Sequence, residues 1–527
     1  MFITNAISRT TVLGLAAATM LCTAAMAQDR VILNAVTAQE PGVLAAGIQT
    51  IDGSQTITGG KILQPLLRYD ENGDLEGILA ESWTVSDDGK TYTFNLRQGV
   101  KWHDGAPFTS EDVVFTLDEI LRLTHGRTRS ALEYVDTMEA TDEHTVVITL
   151  EQPYSPFLTA INSVNAPILP KHLYEGTDIR QNPVNNAPVG TGPFKFNEWR
   201  RGEFVHLVRN DDYWVDGQPH VDEIYFQFIP DSAQRAIAME TGRIDVATRQ
   251  VISPQDIRRL VSANQAKRLP AEAYGGLGAA SFLVPNHTKP PFDNVLARQA
   301  VLHALDRQLI IDAAFLGEGK VQVGPLASTT RYFDDEATAK YPYDPEKAKE
   351  LLDEAGFPAG SGGTRFSIEL IVANANSERQ RMMEIIKQQL AEVGVEVTLR
   401  AVDVPTLQTA GTSGEYDLMF LTQGQFQHPS IGVARAYLSD RITGAWGQNM
   451  AGYSNPVIDE AWATADTALD DAIIQEAYST IQREATEDAA YIWLFEVQDN
   501  LVVAPNVDNL YQGPLSAYYS WAEVTKE

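Results

Sequence analysis

Polar and apolar side chains alternate at residues 91–96, the pattern of a β-strand with one buried face. The apolar set consists of Tyr92, Phe94 and Leu96. An Asp-Asp-Gly turn sequence at 87–89 separates this stretch from Trp-Thr-Val at 83–85, and that spacing favours a β-hairpin. The segment therefore predicts a sheet that covers a core with one of its faces.

Helical periodicity with recognisable start and stop signals follows at several places. Thr109 and Asp112 have the spacing of a capping box ahead of apolar residues at helical intervals. A further helix is predicted to begin at Asp344-Pro345 and to end at Gly356. Other predicted helices cover 377–393, the stretch from 455 onward, and 470–487. Because helices alternate with short apolar strands, the pattern predicts α/β domains.

The N-terminal residues have the composition of a secretory signal peptide. After Arg9, residues 10–27 carry no charge, and Ala25–Ala27 fits a small-x-small cleavage pattern, so cleavage after Ala27 is expected. A short membrane anchor is the alternative, but the segment is short for a bilayer span and polar residues follow at once. The only cysteine, Cys22, lies inside this segment, so the mature chain contains neither a disulfide nor a reactive thiol.

Composition and charge exclude several classes of protein. A length of 527 residues is enough for two or three domains with their own cores. The net charge of −30 argues against nucleic acid or an anionic membrane as partner, because binding to phosphates needs clustered Lys and Arg. No apolar stretch long enough to span a membrane follows residue 27.

Motifs for catalysis, metals and nucleotides are missing from the sequence. The nine histidines show no HExxH or HxH spacing, and His103-Asp104 is explained better by a turn than by a metal pair. Neither a complete GxGxxG nor a GxxxxGK[ST] motif occurs, and there is no GxSxG elbow. We therefore expect no enzyme activity, no metal site and no cofactor.

The amino-acid sequence of residues 79–117 resembles that of the extracellular solute-binding protein family 5, the peptide- and nickel-binding components of ABC importers. Further segments resemble the same family in sequence order, at 188–194, 209–214, 286–292, 297–300, 304–307, 343–348 and 452–456. The resemblance implies a large periplasmic binding protein fold of the α/β class, in which two lobes close on the ligand. It also implies a hinge that the chain crosses twice and an extra N-terminal β-rich domain.

The same resemblance implies a division of the chain. After the signal peptide at 1–27, lobe one would combine 28–66, 186–270 and 495–527. The extra domain would cover 67–185 and support lobe one more than it contacts ligand. Lobe two would cover 271–494.

The loop at 423–428 is the most informative part of the implied ligand site. In peptide-binding members an aspartate four residues before a proline holds the peptide ammonium, and counting back from Pro429 places Gln425 there. A neutral amide cannot replace an anion opposite an ammonium, unless an insertion shifts the count. With Gln423, Gln427 and His428, the loop is polar but uncharged, which suits a hydroxyl- or amide-rich ligand.

Other ligand-binding candidates follow from the family positions. Glu40 is a possible substitute acid for the ammonium, and Arg379 occupies the place of a carboxylate-holding arginine. Gly275 and Gly276 would permit close approach of the backbone to ligand, or else form a β-bulge. Three further cleft candidates are Trp446, Arg435 and Tyr453.

The function expected from this resemblance is that of a monomeric periplasmic receptor that delivers a small polar solute to inner-membrane permease subunits of an ABC importer. A peptide or peptide-like compound is the first expectation for the ligand. A sugar-amino acid conjugate (opine-like) or an oligosaccharide is the alternative, with chelated nickel third. Two other classes stay open: a secreted hydrolase on the same scaffold, and a sensor or chaperone-like binder.

Overall fold

The computed structural model describes residues 30–37, 40–49, 51–162, 164–249, 251–269, 279–374, 377–426, 428–497 and 501–527. The alternating segment forms the strand Thr91–Leu96, with Tyr92, Phe94 and Leu96 buried. This strand lies inside an antiparallel four-stranded sheet. The order across the sheet is Ala80–Val85, Thr91–Leu96, Thr145–Leu150 and Val135–Asp142. The predicted hairpin and its buried face are confirmed.

A seven-stranded mixed sheet draws its strands from widely separated parts of the chain. Ile32–Val36 lies near its centre and pairs in parallel with both Glu223–Gln227 and Val246–Ala247. The order across the sheet is Lys267–Arg268, Val502–Val503, Val246–Ala247, Ile32–Val36, Glu223–Gln227, Phe204–Arg209 and Phe194–Arg200. N-terminal, middle and C-terminal segments therefore fold together.

A six-stranded mixed sheet forms the centre of a second body. Its order is Gly319–Val321, Ile492–Val497, Ala280–Pro285, Leu418–Gln423, Phe366–Ala373 and Val395–Val402. The chain passes between the two large sheets twice, from Arg268 to Ala280 and from Val497 to Val502. We call the parts built on the seven-, six- and four-stranded sheets lobe one, lobe two and the extra domain. Two short hairpins pair Leu67–Tyr69 with Leu75–Gly77 and Val507–Asp508 with Thr525–Lys526.

The predicted helices form close to their expected bounds. Pro345–Glu354 begins at Asp344, whose side chain accepts a hydrogen bond from the Lys347 amide at 2.9 Å. The capping box of Thr109 and Asp112 starts Ser110–Phe115. The other three predicted helices are Ser377–Glu392, Pro456–Thr467 and Asp471–Glu487.

Further helices surround the sheets. They are Asp52–Thr58, Thr116–Leu121 (a π-helix), Arg122–Thr124, Gly126–Leu132, Phe157–Ala160, Lys171–Tyr174, Ser232–Glu240, Pro254–Ser262, Val295–Ala304, Arg307–Phe315, Val404–Ser413 and Pro429–Gly432. Short 3₁₀ turns lie at Pro183–Asn186, Ala434–Ala436, Ser439–Arg441 and Ser516–Tyr518. None of the helices described here has the length and apolar character needed to cross a lipid bilayer.

Two large clusters of buried apolar side chains form the cores. One is shared by lobe one and the extra domain, and the other surrounds the sheet of lobe two. Ile431 belongs to lobe two by its place in the chain, yet it is buried in the first cluster, and Phe426 packs against that cluster. The segment after strand Leu418–Gln423 therefore reaches across from lobe two to the opposite body.

Candidate functional site

The predicted ligand loop leaves an inner strand of lobe two at its C-terminal end. Strand Leu418–Gln423 is flanked on both sides, so its last residues are fixed in register, with Gln423 opposite Ala280. Gln423 Nε2 donates to the carbonyl of Gly432. A Cβ on Gly432 would lie 2.3 Å from the Gln425 carbonyl oxygen, so only glycine permits this close fold of the loop.

Gln425 makes its hydrogen bonds within the protein. Its Oε1 accepts from the Ala327 amide and from Thr330 Oγ1, both at 2.9 Å, and its Nε2 donates to the Pro325 carbonyl at 2.8 Å. The residue is only 3% exposed. In this conformation Gln425 ties the loop to the segment 325–330, and its part in rejecting an ammonium stays a prediction.

A small cavity lies beside the two glutamines, lined also by Phe282, Tyr437 and Trp493. Its volume of about 20 Å³ admits a single water molecule. A peptide or sugar does not fit in a space of this size.

His428 is the N-cap of helix Pro429–Gly432, and its Nδ1 accepts from the Ser430 amide at 3.3 Å. Its ring makes edge contacts with Tyr332 and Tyr478. Burial, with a smaller contribution from the charge of Arg331, lowers the pKa of His428 to about 3. The imidazole is therefore neutral, as a polar but uncharged loop requires. Gln427 lies outside the described residues.

Glu40 is bound to the hairpin between strands Phe194–Arg200 and Phe204–Arg209. Its Oε1 accepts from Trp199 Nε1 at 3.0 Å, and both carboxylate oxygens lie 3.1 Å from the Gly202 amide. These bonds explain the conformation of the segment without a ligand. A role opposite a ligand ammonium stays a prediction.

The other residues that the sequence predicted to bind ligand lie in separate parts of the chain. Arg379 is half-buried at the start of helix Ser377–Glu392, with its guanidinium 5.4 Å from the Phe420 ring centroid. Trp446 is 36% exposed and covers Gly411. Gly275 and Gly276 are outside the described residues. The ligand roles of all four stay predictions.

Two residues that sequence patterns did not single out lie where the extra domain meets lobe two. The guanidinium carbon of Arg127, in helix Gly126–Leu132, is 3.8 Å from the Phe426 ring centroid. Ser155 donates through its amide to the Asp466 carbonyl at 2.7 Å. Both contacts join residues more than 290 positions apart, and no motif or local periodicity could have paired them. Phe426, in the segment that follows strand Leu418–Gln423, therefore contacts the extra domain.

Burial sets the electrostatics of this boundary. It lowers the pKa of Arg127 to about 9, and the nearby charge of Arg435 lowers it in the same direction. Burial also raises the pKa of Asp466 to about 7, against a smaller opposing effect of Ser430. Histidine and carboxylate side chains do not gather into a metal-binding group anywhere in the described part of the chain. His103 bonds instead to the Gly192 carbonyl at 2.9 Å.

Comparison with known proteins identifies the protein family. The profile of the bacterial extracellular solute-binding proteins, family 5 Middle, matches residues 74–443. The chain belongs to this family. The resemblance inferred from residues 79–117 is therefore confirmed, and with it the expected two-lobed α/β fold.

The relatives of this family 5 chain include glutathione-binding proteins. It is 32% identical to the glutathione-binding protein GsiB of Pectobacterium atrosepticum over 86% of this chain and 85% of that protein. It is 31% identical to GsiB of Escherichia coli K12, with 93% of each chain covered.

Solved structures show the same fold. DppA from Helicobacter pylori, in complex with the peptide STSA, has a TM-score of 0.80 at 25% identity and covers 94% of this chain and 99% of its own. AgaA from A. tumefacien R10, in complex with agropinic acid, has a TM-score of 0.78 at 26% identity, with 94% and 99% covered.

Membership of family 5 fixes the function class. The protein is a periplasmic substrate-binding component of an ABC importer, which binds a small-molecule or peptide solute and works with a membrane permease. It is a transport protein and not an enzyme. The contacts of Arg127 with Phe426 and of Ser155 with Asp466 join the extra domain directly to lobe two.

Proposed function

We propose that the solute is a small acidic peptide or peptide-like compound of the glutathione class. Glutathione has two carboxylates and one ammonium, so it needs more positive than negative charge from its receptor. The observation that carries the proposal is the charge around the loop at 423–428. The loop supplies neutral Gln425 and His428, while Arg127 and Arg435 stand at its boundary with the extra domain. The similarity to glutathione-binding relatives supports the same solute class.

A sugar-amino acid conjugate (opine-like) is the second candidate. It is favoured by the likeness to AgaA bound to agropinic acid. The neutral side chain at Gln425 also suits a ligand whose amine is blocked or absent. Such a ligand shares the carboxylate of the first candidate and differs from it in its amine and hydroxyl groups.

Ligand-induced stabilisation separates the two candidates. The purified protein is heated with glutathione, with an opine such as agropinic acid, with a dipeptide bearing a free amine and with an oligosaccharide. At 1,000 times its dissociation constant a true ligand stabilises the folded protein by about 4 kcal/mol, which gives a plain rise in melting temperature. We expect the largest rise with glutathione. A rise with only the free-amine dipeptide or the oligosaccharide contradicts the proposal.

We also propose the chain division of 1–27, 28–66, 67–185, 186–270, 271–494 and 495–527, with cleavage after Ala27 and a monomeric mature protein. The distribution of strands among the three larger sheets supports this division. N-terminal sequencing of the secreted protein tests the cleavage site. Light scattering on the purified protein tests the monomeric state.

A further inference from the structure

A pocket of about 140 Å³ lies on lobe one, beside the start of the extra domain. Its lining residues come from the segments 60–65, 213–218 and 518–523 of lobe one, together with Arg68 and Ile78 of the extra domain. Among the residues that the structure describes, none from lobe two lines this pocket. The pocket is therefore distinct from the predicted ligand loop, which belongs to lobe two.

Aromatic side chains dominate the walls of this pocket. They are those of Tyr213, Trp214 and Tyr519, with Val215 and Ile78 as aliphatic neighbours. A cavity of about 150 Å³ with apolar walls takes up benzene. The volume of about 140 Å³ therefore suits a single six-membered ring. Aromatic rings pack favourably on one another by offset stacking or edge contact, so these walls favour an aromatic ring.

Hydrogen bonds hold the walls in position without a ligand. Gln64 Oε1 accepts from Trp214 Nε1 at 2.9 Å, and Gln64 Nε2 donates to the Tyr213 hydroxyl at 3.0 Å. The Tyr519 hydroxyl donates to the Tyr69 carbonyl at 2.8 Å. Because these side chains are already ordered, a ligand that binds between them costs little further conformational entropy.

The mouth of the pocket differs in charge from its walls. Arg68 forms an ion pair with Glu76 across the hairpin. Arg97 lies behind the wall, where its guanidinium carbon is 4.9 Å from the Trp214 ring centroid and its Nε donates to a backbone carbonyl at 2.6 Å. Glu523 lines the pocket, is exposed to solvent and forms no ion pair with any residue that the structure describes. Its carboxylate is therefore available to a cation at the mouth.

We propose that this pocket is a second binding site, which takes a small molecule with one aromatic ring and a protonated amine. The ring packs against Trp214 and Tyr519, and the ammonium lies at the mouth beside Glu523. Sites for small molecules combine largely apolar and aromatic walls with a few placed polar groups, and this pocket has both features. The inference goes beyond the proposed function, because the site lies outside lobe two and does not depend on which solute is carried.

Ligand-observed NMR titration of the purified protein at pH 7 tests the inference. The probes are benzylamine, benzyl alcohol as its uncharged counterpart, and 1-naphthylmethylamine, which adds a second ring. We expect benzylamine to bind about three- to fivefold more tightly than benzyl alcohol, the factor given by an exposed ion pair. We expect 1-naphthylmethylamine to bind at least about tenfold more weakly than benzylamine, because its second ring exceeds the space.

Two variants and a control locate the binding to this pocket. Glu523→Gln is expected to lower the affinity for benzylamine to that for benzyl alcohol, and to leave the alcohol unchanged. Val215→Phe fills part of the pocket and is expected to weaken both ligands at least about tenfold. The control is Asp216→Asn, an exposed acid of the neighbouring turn that does not line the pocket, and it is expected to bind like the wild type.

The outcomes separate this site from the proposed solute site. If benzylamine does not bind, or if Val215→Phe binds it as the wild type does, the second site is wrong. Equal affinity of the wild type for benzylamine and benzyl alcohol overturns the role of Glu523 and the amine class. Displacement of benzylamine by glutathione places the amine in the solute site and also contradicts the inference. If Val215→Phe does not fold, the one-ring and two-ring amines supply the size test on the wild type.

Discussion

At the scale of single residues, the partners of a buried polar group decide what it does. Gln425 is predicted by family position to face the ligand, yet all of its observed hydrogen bonds go to the segment 325–330. Arg127 has no distinguishing sequence pattern, yet its Nη2 is enclosed and unpartnered. A satisfied group holds neighbouring segments together, whereas an unsatisfied buried one costs free energy in the folded state.

Gln425→Glu tests the first half of this contrast. The substitution keeps the shape of the side chain, but it replaces the amide that donates to the Pro325 carbonyl by an oxygen and buries a negative charge. We expect a loss of about 1–3 kcal/mol in the free energy of unfolding at pH 7 without ligand. Urea denaturation measures it.

Gln388→Glu is the matched control, because Gln388 is exposed on helix Ser377–Glu392. We expect this change to leave stability within about 0.5 kcal/mol of the wild type. Equal stability of the two variants would show that Gln425 is not held by the bonds described here.

At the scale of elements, one side chain joins several parts of the extra domain. The Asp112 carboxylate accepts from the Thr109 amide at 2.9 Å, from Trp102 Nε1 at 3.2 Å and from the Lys171 amide at 2.9 Å. It therefore caps helix Ser110–Phe115 and also fixes the start of helix Lys171–Tyr174. The capping box predicted from two residues has a tertiary role that local spacing does not reveal.

Asp112→Asn is expected to destabilise the protein by about 1–3 kcal/mol, because one oxygen becomes an NH₂ group that faces N–H donors. Thermal or urea denaturation measures the change. The control is Asp118→Asn in the same helical region, which removes only the exposed ion pair with Arg122. Exposed pairs contribute about 0.2–1 kcal/mol. A larger loss for Asp118→Asn than for Asp112→Asn would contradict this account.

At the scale of the whole molecule, one of the contacts between the extra domain and lobe two is made by helix Pro456–Thr467. Ser155 donates two hydrogen bonds to carbonyls at the end of this helix. Its amide donates to the Asp466 carbonyl at 2.7 Å, and its Oγ donates to the Ala465 carbonyl at 2.8 Å. Asp466 Oδ1 is enclosed there without a partner. This boundary therefore contains an acid whose charge disfavours the folded state.

Asp466→Asn is expected to remove a pH dependence of stability. Burial raises the folded-state pKa of Asp466 from 3.8 to about 7, so the folded state binds a proton that the unfolded state has released. Stability from this group is therefore full below pH 3.8 and falls as pH rises to about 7. The asparagine variant has no such loss, and it should gain stability relative to the wild type across that window.

Urea denaturation at several pH values measures this difference. The control is Glu460→Gln, an exposed acid of the same helix, which is expected to follow the wild type. A wild-type minus Asp466→Asn difference that is constant from pH 4 to pH 8 would show that Asp466 does not titrate in this window.

The sequence by itself determined the local elements and the family. Alternation at 91–96, the caps at Thr109 and Asp344 and the stop at Gly356 specify strands and helices through interactions within a few residues, and the structure forms all of them. The amino-acid sequence of residues 79–117 identified family 5, and thereby the two-lobed fold and the transport role.

Only the tertiary structure decided which side chains meet where the extra domain contacts lobe two. Arg127 and Phe426, or Ser155 and Asp466, lie far apart in the chain, and their contacts depend on how three sheets are placed. Whether a polar group is satisfied depends on such long-range neighbours, so the sequence did not reveal that Gln425 bonds to the segment 325–330. Local chemistry specifies the elements, whereas burial and partnership arise only when distant elements pack together.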